Sequence, residues 1–169
     1  GVYDALKEEA GPAWSIILKN CGRIWGRRLM STFDGELRAS GYGSQGEATV
    51  GRFCAFVENY FRLHGWGRLS LSLEHAASAG VVTAELQHSL FVALIEGETQ
   101  PVDPMISGIL GAFFSHVSGR ELDCLELSCE GRGEDRCRFA ITAPERLEAL
   151  EGRVEAREAH DSLLSALLS

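Results

Sequence analysis

Apolar side chains recur at helical spacing in three stretches of this chain. The first predicts an amphipathic helix over residues 12–31, with a proline in its first turn. The second follows Ser44-Gln45-Gly46-Glu47, which has the form of a capping box, and ends at about residue 63. The third begins at Asp103-Pro104, where the aspartate is the expected N-cap, and ends at Gly119. The pattern therefore predicts three core helices.

Between these helices the period changes to two, which predicts strands. Residues 69–74 and 81–86 form one expected hairpin, and residues 121–128 and 136–142 form a second. The resulting order of helix, helix, hairpin, helix, hairpin and helix predicts an α+β fold. We expect an antiparallel sheet of about four strands, packed against helices.

Two features concern the ends of this domain and its packing. Gly22 and Gly26 lie one turn apart on the first helix and indicate close backbone packing, either inside the fold or across a dimer. Residues 32–45 read as a glycine- and serine-rich connection. Pro144 opens a last, highly charged helix, so we expect one domain over residues 1–143 and a C-terminal helix or linker over 144–169.

Composition narrows the class of protein. The chain has 169 residues, a length suited to one compact domain. Its formal net charge is −8 and its basic residues are scattered, which argues against direct nucleic-acid binding. No apolar run is long enough to span a membrane, and the first residues do not resemble a signal peptide. With an odd number of cysteines, five, a cytoplasmic protein with reduced thiols is expected.

The candidate chemistry lies in "ELSCEGRGEDRCRF", residues 126–139, where the spacing is Glu126-x2-Cys129-x7-Cys137. The spacing alone leaves a metal clip, a cross-strand disulfide, a redox pair and two core thiols open. Cys137, Phe139 and Ile141 on one strand, and Leu125, Leu127 and Cys129 on the other, are expected to alternate toward the core. The reducing compartment argues against a disulfide, and the acidic neighbours argue against a lowered thiol pKa.

A metal at this clip needs a fourth ligand. Thiolate and carboxylate both bind Zn²⁺, which takes four ligands in structural sites. Cys124, on the same strand face as Glu126, and Asp103, at the start of the third helix, are the candidates for the fourth position.

The stretch "GILGAFFSHVSGRELDCLELSCEGRGEDRCRFAI", residues 108–141, resembles the closing half of the 4-vinyl reductase domain family. Residues 16–29, 64–74 and 87–94 are similar, more loosely, to the first helix, the Gly-Trp-Gly strand entry and the polar-Ser-apolar segment of that family. The resemblance implies a fold related to transport-protein-particle subunits and to heme-NO-binding sensors.

The resemblance also implies a function and a ligand set. Domains of this family serve aromatic-responsive transcription activators as sensors, with a structural zinc bound by a Glu-x2-Cys-x7-Cys set and a further cysteine upstream. Glu126, Cys129 and Cys137 match three of those ligands, and Asp103 stands where the family has the upstream cysteine. The function expected is a sensor or adaptor domain in signalling or transcription regulation, dimeric and non-catalytic, for a hydrophobic or aromatic small molecule.

Helices and strands that should meet around the sheet supply an aromatic-rich interior for such a ligand. Two alternatives stay open. One is an oligomeric assembly subunit, because residues 9–117 look faintly like the small cellulose-synthase D subunit. The other is a tetrapyrrole vinyl reductase or its accessory factor, although no dinucleotide-binding Gly-x-Gly-x-x-Gly follows a strand and no catalytic constellation is found. The expected pocket residues are Tyr60, Phe61, Trp66, Phe91, Phe113, Phe114 and His116.

Overall fold

The computed structural model describes residues 2–39, 46–94 and 102–169. The helices within these ranges are α1 (Val2–Ala10), α2 (Trp14–Ala39), α3 (Gly46–Leu63), α4 (Ala76–Ala79), α5 (Leu90–Ala93), α6 (Pro104–Ser118), α7 (Pro144–Glu155) and α8 (His160–Leu168). Short 3-10 turns cover Gly11–Ala13 and Glu130–Arg132. The strands are β1 (Arg68–Ser72), β2 (Val82–Gln87), β3 (Asp123–Ser128) and β4 (Cys137–Thr142).

The four strands form one antiparallel sheet in the order β1-β2-β4-β3. Each predicted hairpin is present, and β2 pairs with β4 to join the two hairpins at the centre of the sheet. Helices α2, α3 and α6 cover one face. The predicted α+β fold is confirmed.

Helix α2 extends beyond its predicted end at residue 31 and stops at Ala39. Phe33, inside the segment expected to be a connection, packs against α3 with ring centroids 5.9 Å from Phe53 and 4.2 Å from Phe56. Burying this ring outweighs the weak helix preference of the glycine and serine residues around it. Ser44 of the expected capping box lies outside the described residues.

Close contact between α2 and α6 explains the spaced glycines. A Cβ atom at Gly22 would collide with the backbone carbonyl of Met105, and one at Gly108 would collide with the backbone carbonyl of Lys19. The two helix backbones therefore touch where both lack a side chain. Close packing inside the fold, one of the two interpretations of Gly22 and Gly26, is confirmed.

The sheet has an apolar core on each face. The larger one lies between the sheet, α2, α3 and α6. The smaller one lies under α7 and α8, where Leu147, Leu150 and Leu163 are buried. The last helix is two helices, because Arg157 takes a left-handed φ of 58° and turns the chain before α8. The domain boundary at residue 143 stays a prediction.

A β-bulge corrects the expected facing of β3. The register with β4 shifts between Glu126 and Ser128, so two residues of β3 oppose one of β4 there. Leu127 consequently belongs to the smaller core, with Leu125 packed against it, while Cys129 joins Cys137 in the larger core. The prediction that Leu125, Leu127 and Cys129 share one face was wrong. No helix in the described ranges has both the length and the apolar character to cross a membrane.

Candidate functional site

The β3 bulge brings the carboxylate and the thiol of the Glu126-x2-Cys129 spacing onto one face. In a regular strand, residues three apart point to opposite faces. The extra residue at the bulge reverses that parity, so Glu126 and Cys129 both turn toward the larger core. The 3-10 turn that follows, closed by Gly133 at a φ of 91°, returns the chain so that Cys137 faces them from β4.

Glu126, Cys129 and Cys137 form a compact, buried cluster, which we call the clip. One ligand atom from each residue lies within 4.8 Å of the others, and the two Sγ atoms are 3.9 Å apart. The exposed fraction of Glu126 is 3%, and both thiols are 0% exposed. Both cysteines are free, since the sulfur separation is far longer than the roughly 2.05 Å of a disulfide bond.

Asp103 approaches the clip from the start of α6 instead of capping that helix. It occupies the N-cap position, but its side chain makes no capping hydrogen bond. Its backbone N–H donates to Glu126 Oε2 at 3.0 Å, and its Oδ1 accepts a hydrogen bond from Ser89 Oγ at 2.8 Å. The expectation that a helix cap accounts for this aspartate was wrong. Asp103 is 0% exposed, and its carboxylate faces the interior.

Cys124 does not join the clip. It is buried on β3, but the metal-capable group contains only Glu126, Cys129 and Cys137 among the described residues. Burial raises the pKa of the Cys124 thiol, against a smaller opposing effect of Lys19. This thiol therefore behaves as a small apolar core group.

Two buried carboxylate oxygens at the clip have no hydrogen-bond partner. They are Asp103 Oδ2 and Glu126 Oε1, and in each case the other oxygen of the carboxylate is held by a donor. Tyr3 Oη, from α1, is a third buried polar atom without a partner. Unsatisfied buried polar atoms are rare in folded proteins because each costs about 1–3 kcal/mol. Their presence beside two thiols is the pattern expected of ligand atoms awaiting a cation.

The electrostatics of the clip also favour a cation. Burial raises the pKa of Asp103 to about 7, although hydrogen bonds from Ser89 and Cys137 oppose that shift. Burial, followed by repulsion from Asp103, raises the pKa of Glu126 well above its ordinary value. Both carboxyl groups are thus held in an environment that disfavours their charged form unless a positive charge is added.

The two thiols differ from each other. The hydrogen bond that Cys137 donates lowers the pKa of Cys129 to about 6, and the same hydrogen bond, with burial, raises the pKa of Cys137. The expectation that acidic neighbours keep both thiol pKa values high was therefore wrong for Cys129. A thiolate at Cys129 near neutral pH is the ionisation state that binds a metal.

A path from solvent reaches this cluster. A groove of about 620 Å³ runs between α2, α6, β3 and α7, and its lining includes Cys124 and Glu126. Trp14, Lys19 and Ser107 form part of its wall. A small cation can therefore approach the clip from the β3 edge of the sheet.

Aromatic rings gather on the helical side of the sheet. Phe53 of α3 contacts Phe113 and Phe114 of α6 edge-on, with ring centroids 6.3 and 5.6 Å away. Trp66, in the turn before β1, contacts Phe61 at 5.2 Å and Tyr60 at 5.5 Å. Five of the seven expected pocket residues thus lie in one aromatic cluster: Tyr60, Phe61, Trp66, Phe113 and Phe114.

The other two expected pocket residues lie elsewhere. Phe91 of α5 packs against Tyr3, with ring centroids 5.9 Å apart, beside the start of α2. His116 stands on the surface, where its side chain is 41% exposed and its Nε2 lies 2.9 Å from Asp34. It lines an open groove with Arg23 and Glu148, away from the aromatic cluster.

A family model matches the second half of the fold. The match is to the vinyl-4-reductase domain over residues 82–143, a range that contains β2, α6, the β3–β4 hairpin and the clip. Residues 82–143 belong to the vinyl-4-reductase domain family. The predicted resemblance to this family is confirmed, and the matched segment holds Asp103 and all three clip residues.

Solved structures extend the likeness to the whole fold. The chain is similar to the phenol-responsive sensory domain of the transcription activator PoxR with phenol, with 18% identity and a TM-score of 0.68 over 94% of this chain and 79% of that one. It is also similar to a vinyl-4-reductase family protein from Methanocaldococcus jannaschii, with 16% identity and a TM-score of 0.54 over 74% of this chain and 66% of that one.

A third similar structure is trafficking protein particle complex subunit 3 from Naegleria fowleri, covalently bound to palmitic acid. Its identity is 14% and its TM-score 0.59, over 83% of this chain and 90% of that one. The predicted relation to transport-protein-particle subunits is confirmed at the level of the fold. Among curated proteins, no sequence match is found.

The sequence did not point to Ser89, Glu130 or Tyr3 as parts of the site. Ser89 and Glu130 are joined by a hydrogen bond between residues 41 positions apart, and Ser89 reaches Asp103 across 14 positions. Tyr3 comes from α1, about a hundred residues before Asp103. Only Ser89 carried a signal, since it lies in the polar-Ser-apolar segment quoted above.

Proposed function

We propose that this chain is a non-catalytic sensing domain for a small hydrophobic or aromatic molecule, and that a metal-bound clip braces its binding core. The observation that carries the proposal is the convergence of aromatic rings from α3, α6 and the Trp66 turn between the helices and the sheet. The similarity to a phenol-responsive sensory domain supports it.

The chemistry of the aromatic cluster suits such a ligand. Its rings meet edge-on, an arrangement in which a planar aromatic guest can replace one ring contact with another of similar energy. Tyr60 and Trp66 lie at the more exposed end of the cluster and bring a hydroxyl and an indole N–H to an otherwise apolar region. Apolar walls with a few polar groups are typical of small-molecule sites.

Direct titration tests this proposal. We expect phenol and other small aromatic alcohols to raise the melting temperature and to give a saturable calorimetric signal. Phe61→Leu should change that affinity, because Phe61 is buried in the cluster. Leu147→Val, in the core on the other side of the sheet, is the control for general loss of packing. Failure of hydrophobic ligands of every size and shape tested to bind would overturn the sensing role.

We further propose that the clip holds a structural Zn²⁺. Two thiolates and two carboxylates complete a tetrahedral set if Asp103 joins Glu126, Cys129 and Cys137. Zn²⁺ supplies a fixed cross-link there, while the chain's own residues do the positioning. Glu126 and Cys129 hold β3, Cys137 holds β4, and Asp103 holds the start of α6.

Elemental analysis of protein purified without added metal tests the clip. We expect about one zinc per chain, and Cys137→Ser should lose it. Cys54→Ser is the matched control, because Cys54 is also a buried thiol but lies on α3, outside the clip. Equal metal content in the two variants would contradict the assignment.

We propose a homodimer that forms through α2. Ile17, Ile24 and Trp25 are 40%, 48% and 37% exposed on this helix, and such large apolar side chains on one helix face are unusual at a free surface. Ile24→Glu should therefore shift the protein toward monomer in sedimentation experiments. Ser31→Glu, at an exposed polar position of the same helix, should leave the assembly unchanged. A wild-type monomer at high concentration would rule the dimer out.

We also propose a cytoplasmic location. The support for it is that all five cysteines are free and that the clip thiols are suited to a metal, which requires them reduced.

A further inference from the structure

Ser89 lies beside the clip but belongs to a different part of the fold. It is 2% exposed and stands in the turn after β2, at the N-cap of the short helix α5. Its hydroxyl is 2.8 Å from Asp103 Oδ1. None of the metal ligands considered above includes this residue, so its contact with Asp103 needs its own explanation.

The direction of the Ser89 hydroxyl proton is fixed by its other partners. Ser89 Oγ accepts hydrogen bonds from the backbone N–H groups of Phe91 and Val92, at 3.2 and 3.5 Å. A serine hydroxyl has two acceptor lone pairs and one proton. Because both lone pairs are used, the proton is left for Asp103, and Ser89 acts as an obligatory donor to Oδ1.

Glu130 holds Ser89 in place from the clip side. Its carboxylate accepts hydrogen bonds from the backbone N–H groups of His88 at 2.9 Å and Ser89 at 3.3 Å. Glu130 follows Cys129 directly in the chain, at the start of the 3-10 turn that carries the clip. The turn after β2 is therefore tied to the β3–β4 hairpin, and the Ser89 hydroxyl is fixed relative to the two thiols.

The same contact determines which oxygen of Asp103 remains free. With Oδ1 engaged by Ser89, Oδ2 is the oxygen left buried without a partner. The backbone N–H of Asp103 acts in the same way on Glu126, where it engages Oε2 and leaves Oε1 free. Each carboxylate thus offers a single oxygen to the clip.

We propose that Ser89 is a positioning residue for the metal clip, and that its hydroxyl orients Asp103 so that Oδ2 becomes the fourth ligand atom. This inference rests on the proposed metal clip and deepens it, since it selects Asp103 over Cys124 and adds an outer partner that holds the ligand. Outer hydrogen bonds of this kind restrict a ligand's rotation and raise its basicity.

Metal titration with a competing chromophoric chelator tests the proposal. Zn²⁺ affinity should fall about 10- to 100-fold in Ser89→Ala, as is typical when the outer partner of a metal ligand is removed. Ser89→Thr should recover most of the affinity because it keeps the hydroxyl. Ser107→Ala is the control, since Ser107 is also a buried serine near the clip, on α6, but its neighbour is Cys124.

Co²⁺ substitution adds a readout that loss of packing would not produce. The visible ligand-field bands of Co²⁺ report coordination geometry, so both Ser89→Ala and Asp103→Asn should change these bands in the same sense. In the Asp103→Asn background, Ser89→Ala should cause no further loss of affinity, because its route to the metal is already broken. If Ser89→Ala does not fold, Ser89→Gly replaces it, since glycine is tolerated at an N-cap.

The outcomes separate this inference from the proposal beneath it. Unchanged Zn²⁺ affinity in Ser89→Ala, with a wild type that binds, would overturn the role of Ser89 and leave the clip intact. A further loss in the Asp103→Asn background would overturn the route through Asp103. A wild-type protein that binds neither Zn²⁺ nor Co²⁺ would overturn both the clip and this inference.

Discussion

The backbone N–H of Asp103 donates a hydrogen bond to Glu126 Oε2 at 3.0 Å, which joins the first residue before α6 to the middle of β3. Both residues are buried, and each carboxylate keeps one oxygen without a partner. This pair stabilises the approach of helix to sheet through one oxygen and destabilises it through the uncompensated charge of the other.

Glu126→Gln is therefore expected to have opposite effects with and without metal. The amide keeps an acceptor for the Asp103 N–H and removes a buried charge, so the metal-free variant at pH 8 should be about 1–3 kcal/mol more stable than wild type. With Zn²⁺ present, wild type should be the more stable protein because only it gains the binding energy. Chemical denaturation with chelator or with Zn²⁺ measures both effects.

Glu58→Gln is the control for this substitution. Glu58 Oε1 accepts a hydrogen bond from the Leu71 N–H at 2.8 Å, which is the same kind of contact away from the clip. Its replacement should be nearly neutral and independent of metal. The same response in both variants would show that the clip carboxylate is not special.

The pH dependence of the metal-free protein should reveal the buried carboxyl groups. Burial raises the pKa of Asp103 to about 7, whereas an unfolded aspartate has a pKa of about 3.9. Between about pH 4 and 6 the folded state keeps a proton that the unfolded state releases, so stability falls as pH rises, by at most about 1.4 kcal/mol per unit for each group.

Above that window the sign is reversed by Cys129. Its pKa is lowered to about 6, so the folded state releases a proton before the unfolded state does, and this contribution to stability rises with pH. Denaturant unfolding in chelator at several pH values measures the slope between pH 4 and 6. Asp103→Asn should flatten it, and an unchanged slope in that variant would rule out Asp103 as its source.

Close packing of α2 on α6 predicts a large effect of one methyl group. Gly108→Ala would place a Cβ atom against the backbone carbonyl of Lys19 and should destabilise the fold by about 1–3 kcal/mol or more. Gly152→Ala, in α7 with open space around its Cβ position, should instead stabilise by about 0.5–1 kcal/mol. Thermal denaturation of both variants measures the contrast, and equal effects would contradict the packing argument.

Tyr3 carries a buried hydroxyl without a partner, so its removal should help the metal-free fold. The ring is 7% exposed and packs against Trp14, with ring centroids 6.1 Å apart. Burial, followed by the nearby Asp103, raises the pKa of Tyr3. Tyr3→Phe keeps the ring and should stabilise the protein by about 1 kcal/mol, since an unsatisfied buried group is removed. Destabilisation measured by thermal unfolding would show that the hydroxyl has a partner.

The sequence by itself determined the elements of this protein. Apolar residues at helical spacing predicted α2, α3 and α6, and alternating residues predicted both hairpins, because burial of one face depends mainly on local periodicity. The spacing of Glu126, Cys129 and Cys137 also identified the clip before its geometry was known.

Only the tertiary structure decided how those residues meet. The bulge that brings Glu126 to the face of Cys129, the inward turn of Asp103 and the contact of Ser89 with Asp103 depend on pairing between distant segments. Long-range contacts also decided the length of α2, which continues because Phe33 packs on α3. Periodicity states which face a residue prefers, but not which partner waits there, because that partner is chosen by the packing of the whole chain.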